Sequence, residues 1–337
     1  MSPVSSPDPS SLRLLADVGG TNARFALQAG AGAAITQVQT LPCADHATLG
    51  DAIAHYLAQQ DQAARPVRGA IAIANPIQGD RVQMTNHDWS FSISALRESL
   101  GLQQLELLND FTALALALPH LPASDLRQVG GRPGASAHNS VTALGLIGPG
   151  TGLGVSGLVP DGRGGWCPLQ GEGGHVTLSA VNDAEHAVLA LLWARYGHVS
   201  AERAVSGQGL SNLYGALTQR DGGGWPDPLP SAAEVSQWAT GGQDARASEA
   251  LDLFFAFLGS VAGNLALTLG AWDGIFLGGG ILPRLGTRID SSVFRERFES
   301  KGRFGNHLKP VPVWVIEARQ SPALLGASKK LDMATNG

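Results

Sequence analysis

The sequence predicts a two-domain α/β protein, and three observations carry that reading. Short apolar runs of strand length alternate with Ala- and Leu-rich helical stretches along the chain. A strand, a Gly- and Thr-rich turn and a second strand open each half, once around Gly19 to Thr21 and again around Gly148 to Gly152. At 337 residues the chain exceeds the size at which a single hydrophobic core usually stops growing.

Taken in order, Leu12 to Ala16 reads as a strand, Asp17 to Asn22 as its turn and Phe25 to Leu27 as the return strand. Leu105 to Leu108 is a further strand; it ends in Asn109-Asp110, where an Ala/Leu helix over Phe111 to Leu118 begins. Val141 to Ile147, the turn Gly148 to Gly152 and Leu153 to Val159 repeat the first hairpin. The repetition points to two related domains. We expect a small α/β domain over residues 12–120 plus 313–337 and a large one over 121–312, behind a flexible Ser/Pro-rich extension over 1–11. In this scheme the strand Pro312 to Glu317, and the helix opened by Ser321 and Pro322, return to the first domain. Asp221 to Pro230 is a Gly/Pro/Trp loop, and Ser231 to Glu234 has the spacing of a capping box.

Composition bounds the function. Hydrophobic residues make up 44% and charged residues 15%, as in a soluble globular protein. A net charge of -5 with no Lys/Arg stripe gives no footprint for nucleic acid. Cys43 and Cys167 stand far apart and form no CxxC pair, so neither a disulfide framework nor a cysteine zinc site is expected; a cytoplasmic protein without a signal peptide fits. The uncharged run Leu253 to Trp272 is long enough to span a membrane. Asn264, Thr268 and acidic flanks at Asp252 and Asp273 favour a buried helix, with no membrane partner.

The Gly-rich turns suggest phosphate. A phosphoryl group needs several converging N–H donors, and glycine lets backbone approach without a Cβ in the way. Neither turn is a Walker loop or a GxGxxG fingerprint, and each alone is also explained as a hairpin turn. Together they spend more Gly and Thr than hairpin geometry demands. Asp17 stands where a carboxylate holds Mg²⁺ through water, or where it caps the turn. Asp110, at a strand-to-helix junction, suits a general base for a sugar hydroxyl, or the N-cap of its helix. Glu172 and His175 sit among glycines in Gly171 to His175, a loop suited to hydrogen-bonding hydroxyls, with no zinc spacing. Glu202, taken alone, reads as a solvated helix-end carboxylate.

The segments Asp17-Val-Gly-Gly-Thr-Asn-Ala-Arg24, Met84-Thr-Asn-His87, Leu108-Asn-Asp-Phe-Thr-Ala113, Gly150-Thr-Gly-Leu-Gly154 and Gly171-Glu-Gly-Gly-His-Val176 together resemble the bacterial glucokinase family. His198 to Arg203, Leu277 to Ile281 and Lys301 to Phe304 continue the match in the same order. The resemblance implies an actin-like ATPase (ribonuclease H-like) sugar kinase fold, two duplicated α/β domains with an interdomain cleft that closes on glucose and ATP. It implies Asp110 as base for the glucose 6-hydroxyl, with Asn86, Asn109, Glu172, His175 and Glu202 on the sugar and the Pro76 to Gly79 loop beside them. It places the ATP phosphates at Ala16, Asp17, Val18, Gly19, Gly20 and Thr21 and at Gly150 and Thr151, the adenosine at Gly278 and Gly279, and Mg²⁺ near Asp17. A homodimer is also implied. Ala16 departs from the Gly that relatives often carry, and the cysteine-rich zinc motif of the related repressor/kinase family is missing.

Two other classes compete. A sugar-sensing regulator calls for a basic helix-turn-helix, for which the short Ser/Pro-rich start leaves no room. An actin-like chaperone shares the phosphate hairpins but has no use for the Glu172 to His175 loop.

Overall fold

The computed structural model describes residues 12–60, 65–85, 87–136, 138 and 140–334. The expected extension over 1–11 and the candidate sugar ligand Asn86 lie outside the described residues. The chain divides into two compact units, residues 1–121 with 319–337 and residues 122–318.

The first unit begins with β1 (Arg13–Val18), β2 (Asn22–Gln28) and β3 (Ile35–Pro42), then α1 (Leu49–Ala58), β4 (Arg68–Ile73), the small hairpin β5 (Arg81–Gln83) and β6 (Ser90–Ser92), α2 (Ile93–Ser99), β7 (Gln104–Asn109) and α3 (Asp110–Ala117). Its sheet has the order β3-β2-β1-β4-β7, with β1, β4 and β7 parallel and β2 and β3 antiparallel.

The second unit holds β8 (Leu126–Gln128), β9 (Leu144–Pro149), β10 (Leu153–Pro160), β11 (Trp166–Gln170), α4 (Asp183–Tyr196), α5 (Gly207–Arg220), α6 (Ala232–Thr240), α7 (Ala245–Leu269), β12 (Gly274–Leu277), α8 (Ile281–Leu285), α9 (Phe294–Glu299), α10 (Gly305–Leu308) and β13 (Val313–Ile316). Its sheet runs β11-β10-β9-β12-β13-β8. The first five positions repeat the first unit's sheet strand for strand: two antiparallel strands, then three parallel ones. The two Gly-rich turns therefore occupy equivalent places, each joining the third strand in the sheet order to the second. The chain ends in α11 (Pro322–Met333), which packs in the first unit.

One boundary differs from the sequence reading. The strand expected to return to the first domain is β13, and it belongs to the second unit's sheet, parallel to β12 and antiparallel to β8. Its four residues are fully apolar and buried, as a strand between two neighbours requires. Only α11 crosses back. A smaller shift affects β9, which starts at Leu144 and not Val141, because Asp273 Oδ2 accepts from the N–H groups of Val141 (2.7 Å) and Thr142 (2.9 Å). A side chain there takes the place of a ladder partner.

Each unit has its own core. In the first, the period-2 pattern of β1 sends Leu14, Ala16 and Val18 to the face that packs on Ile53 and Tyr56 of α1. Leu15 points to the other face, against Leu324, Ala327 and Leu331 of α11. In the second unit the uncharged run is the core helix α7, the one described helix long and apolar enough to cross a membrane, and its apolar stretch is mostly buried. Its Gly259 and Gly263 accept α9 at close range: a Cβ on either would collide with the carbonyls of Phe294 or Phe298. The expected Ser231–Glu234 capping box opens α6 with both reciprocal bonds present.

Candidate active site

The first unit's site is built at the carboxyl ends of its parallel strands, where open α/β sheets bind ligands. β1 ends beside Asp17 and β7 ends at Asn109, followed by Asp110. Asn109, and not Asp110, is the N-cap of α3: its Oδ1 accepts from the N–H groups of Phe111 (2.9 Å) and Thr112 (3.3 Å). Asp110 is thereby released from the capping role and stands in the first turn, its Oδ1 accepting from the Phe111 N–H at 2.8 Å. Burial pushes its carboxyl up to about 6; the Phe111 N–H pulls the other way, and the negative charge of Asp17 raises it further. A half-buried carboxyl titrating just below neutrality is ionised at pH 7 yet basic enough to take a proton.

Asp17 does not cap its turn either. Its Oδ2 accepts from Arg24 Nη1 (3.2 Å) and from Ser321 Oγ (2.6 Å). β1 parity explains the second contact, since Asp17 shares the α11 face with Arg13 and Leu15. Arg13 Nη1 donates to Asp332 Oδ1 at 2.6 Å, so α11 runs antiparallel along β1 and is fastened at both ends. The spans agree: four strand residues cover ~13 Å and eleven helical residues ~17 Å. Midway, Gly326 lies so close to α3 that a Cβ would overlap the Ala113 carbonyl. One helix thus holds Asp17 by a hydroxyl and backs the helix that carries Asp110.

Three residues that the sequence reading did not place at the site support this half. Ser321 looked like a helix cap, but its side chain makes no capping bond and serves Asp17. Cys43 is buried against the first turn, its N–H donating to the Thr21 carbonyl (2.9 Å) and its thiol to the Gly19 carbonyl (3.4 Å). Burial also raises its pKa, so the thiol stays protonated. Asn75, buried just past β4, accepts from the Thr85 N–H (3.0 Å) and hydroxyl (2.7 Å), which anchors the chain up to the residue before Asn86.

In the second unit, the turn Gly150 to Gly152 is closed by the Gly150 N–H donating to the Gly152 carbonyl at 2.8 Å, as the Gly19 N–H donates to the Asn22 carbonyl at 3.0 Å in the first. Thr21 and Thr151 are both exposed, and the space where a Cβ of Gly150 would sit is open. The Gly150 carbonyl accepts from the Gly207 N–H (2.8 Å), so the N-terminus of α5 abuts this turn. The Gly278 N–H donates to the Ile147 carbonyl (2.9 Å), and Gly279, with φ +78°, presses on the Pro149 carbonyl where a Cβ would collide. Gly278 and Gly279 are therefore next to the second turn.

The loop after β11 forms a 3-10 turn over Gly173–His175 that lies on the start of β10; Cβ atoms on Gly173 and Gly174 would strike Val155 and the Leu153 carbonyl. Glu172 and His175 are both exposed on it. The Ala201 N–H donates to the Val176 carbonyl at 2.9 Å, which sets the 3-10 turn carrying Glu202 alongside. Glu202 is not the solvated helix-end carboxylate its sequence context suggested: it is half-buried and its Oε2 accepts from the Leu153 N–H at 2.9 Å. Within this unit Gly150, Thr151, Glu172, His175, Glu202, Gly278 and Gly279 are all tied to the β9–β10 hairpin.

The glucokinase family profile matches residues 14–334. The chain belongs to the glucokinase family. It is similar to a glucokinase of Aromatoleum aromaticum, 52% identical over 325 residues that make up 96% of each chain. A glucokinase of Chromobacterium violaceum is 53% identical over 319 residues, 95% of this chain and 89% of that one. Among solved structures, a glucokinase from an Antarctic psychrotroph superposes with a TM-score of 0.87 at 36% identity, covering 96% of this chain and 99% of that one. The sugar kinase fold expected from the sequence is therefore the observed one, and the regulator and chaperone readings lose their ground.

Proposed function

We propose that this member of the glucokinase family transfers the γ-phosphoryl group of ATP to the 6-hydroxyl of glucose, giving glucose 6-phosphate and ADP. The observation that carries this reading is Asp110, freed from capping by Asn109 and raised to about 6 by burial. Asp110 takes the proton of the 6-hydroxyl as that oxygen bonds to the γ-phosphorus; the bond from phosphorus to the bridging oxygen breaks and ADP leaves. The sugar ligands we assign are Asn86, Asn109, Glu172, His175 and Glu202. Asn109 spends its Oδ1 on the α3 cap, which leaves its amide nitrogen to donate.

The phosphates are assigned to Ala16 to Thr21 and to Gly150 and Thr151, and the adenosine to the edge formed by Gly278 and Gly279. Magnesium bound to the nucleotide would supply charge neutralisation on the phosphates. Among the described residues no group of three or more His, Cys, Asp or Glu could hold an ion alone. The lone carboxylate of Asp17, fixed by Arg24 and Ser321, suits contact with that ion through water. We assign the protein to the cytoplasm, as a homodimer that feeds glycolysis; sedimentation velocity checks the dimer.

The test is a coupled assay for ADP release from MgATP with glucose, N-acetylglucosamine, fructose or no sugar. Glucose-dependent release with formation of glucose 6-phosphate is expected. Turnover indifferent to sugar would overturn the assignment.

A further inference from the structure

Gly150 and Gly152 of the second turn have different surroundings. Among the described residues beyond its chain neighbours, none stands within 4 Å of the place where a Cβ of Gly150 would be, as a ligand-facing position requires. At Gly152 the atoms of the described residues within that range belong to the Glu202 carboxylate, and its Oε2 would collide with the added carbon. The φ of Gly152 lies outside the left-handed range, so φ alone does not call for glycine there. A Cβ at 152 would have to displace the end of the Glu202 side chain. That carboxylate holds the next residue, Leu153, by its N–H at 2.9 Å.

We infer that Glu202 is a positioning residue for the nucleotide turn as well as a sugar ligand, so that glucose and ATP affinities are coupled through the Gly152–Glu202–Leu153 contact. The inference rests on the assignment of Glu202 to the sugar and of Gly150 and Thr151 to the phosphates. A sugar hydroxyl donating to one carboxylate oxygen fixes the other on the Leu153 N–H, and an ordered turn in exchange fixes the carboxylate. Reciprocity follows: whatever factor glucose adds to nucleotide affinity, nucleotide adds to glucose affinity.

A double-mutant cycle on the full chain tests this. The variants are Gly152→Ala, Glu202→Ala and the pair together, with calorimetric affinities for a non-hydrolysable ATP analogue measured with and without glucose. Without sugar, each single variant should bind the analogue about tenfold more weakly, the loss expected when a charged partner leaves a backbone N–H. The double variant should bind no worse than Glu202→Ala alone, because the added methyl then meets nothing. Glucose should tighten analogue binding in the wild type and lose that effect in all three variants. Additive losses, about a hundredfold in the pair, would mean that Gly152 faces the phosphates themselves and would overturn the inference, as would an unchanged Gly152→Ala. Wild-type protein that binds neither analogue nor glucose refutes the kinase assignment instead. The cycle is then read on unfolding midpoints, where non-additivity upholds the contact and additivity removes it.

Discussion

Asp110 and Asn109 divide two jobs that a single aspartate at a strand-to-helix junction often combines. Capping by Asn109 leaves the Asp110 carboxylate half-buried near the charge of Asp17, and its proton is held to about pH 6. We expect kcat/KM for glucose to fall about tenfold per pH unit below 6, and Asp110→Asn to lose about 10²- to 10⁴-fold in kcat; a steady-state pH profile checks both. The same shift has a stability consequence. A carboxyl with a folded pKa above its ordinary 3.8 contributes most below that pH and loses its contribution as pH rises through about 6. Asp110→Asn should therefore melt a few °C higher than wild type at pH 8 and no higher near pH 3.5, in a pair of thermal scans. Ser321 is the second residue with a sharp expectation. Removing a hydroxyl that donates to Asp17 at 2.6 Å should raise KM for MgATP about tenfold while leaving KM for glucose within a factor of two.

Helices α3 and α11 carry the next set of consequences. Gly326 brings α11 against the Ala113 carbonyl with no room for a methyl group. Gly326→Ala must push the helices apart, at a cost of about 1–3 kcal/mol in urea unfolding. It should also lower kcat, because α3 begins at Asp110. Gly259→Ala makes the contrasting case in α7, where the obstructed atom is the Phe294 carbonyl of α9. Comparable destabilisation is expected there, with the pH profile of kcat unchanged. Gly326 occurs in a stretch that reads as ordinary helix, whereas Gly259 and Gly263 stand at the spacing of a close-packing helix motif. The alternation of β1 was legible, and it alone implies that Asp17 and Leu15 share a face. Which helix covers that face was not, because 304 residues separate Asp17 from Ser321.

At the scale of the whole molecule, the chain builds its first unit from both of its ends. The apolar side chains of α11 close the face of β1 and β4 formed by Leu15 and Ala70. A chain stopped after Ala318 should keep a protease-resistant fragment near residues 122–318 and lose the first unit, read by limited proteolysis and mass spectrometry. Within the second unit, Arg297 donates through both Nη atoms to the two carboxylate oxygens of buried Glu185, and to Ser260 Oγ at 2.8 Å. Arg297→Met should cost about 3–5 kcal/mol by leaving that carboxylate without its cation.

The sequence by itself determined the α/β class, the duplicated hairpins, the capping box and the residue types of the candidate site. These are local: strand alternation, turn chemistry and capping are written within a few residues of one another. Tertiary structure decided that β13 joins the second sheet, that Asn109 caps in place of Asp110, and that Glu202 is tied to the β9–β10 turn. It also decided which glycines face open space and which face a neighbour. Those outcomes depend on contacts between residues far apart in the chain, such as Gly152 with Glu202 and Gly326 with Ala113. A missing Cβ reads the same in a sequence whatever occupies its place.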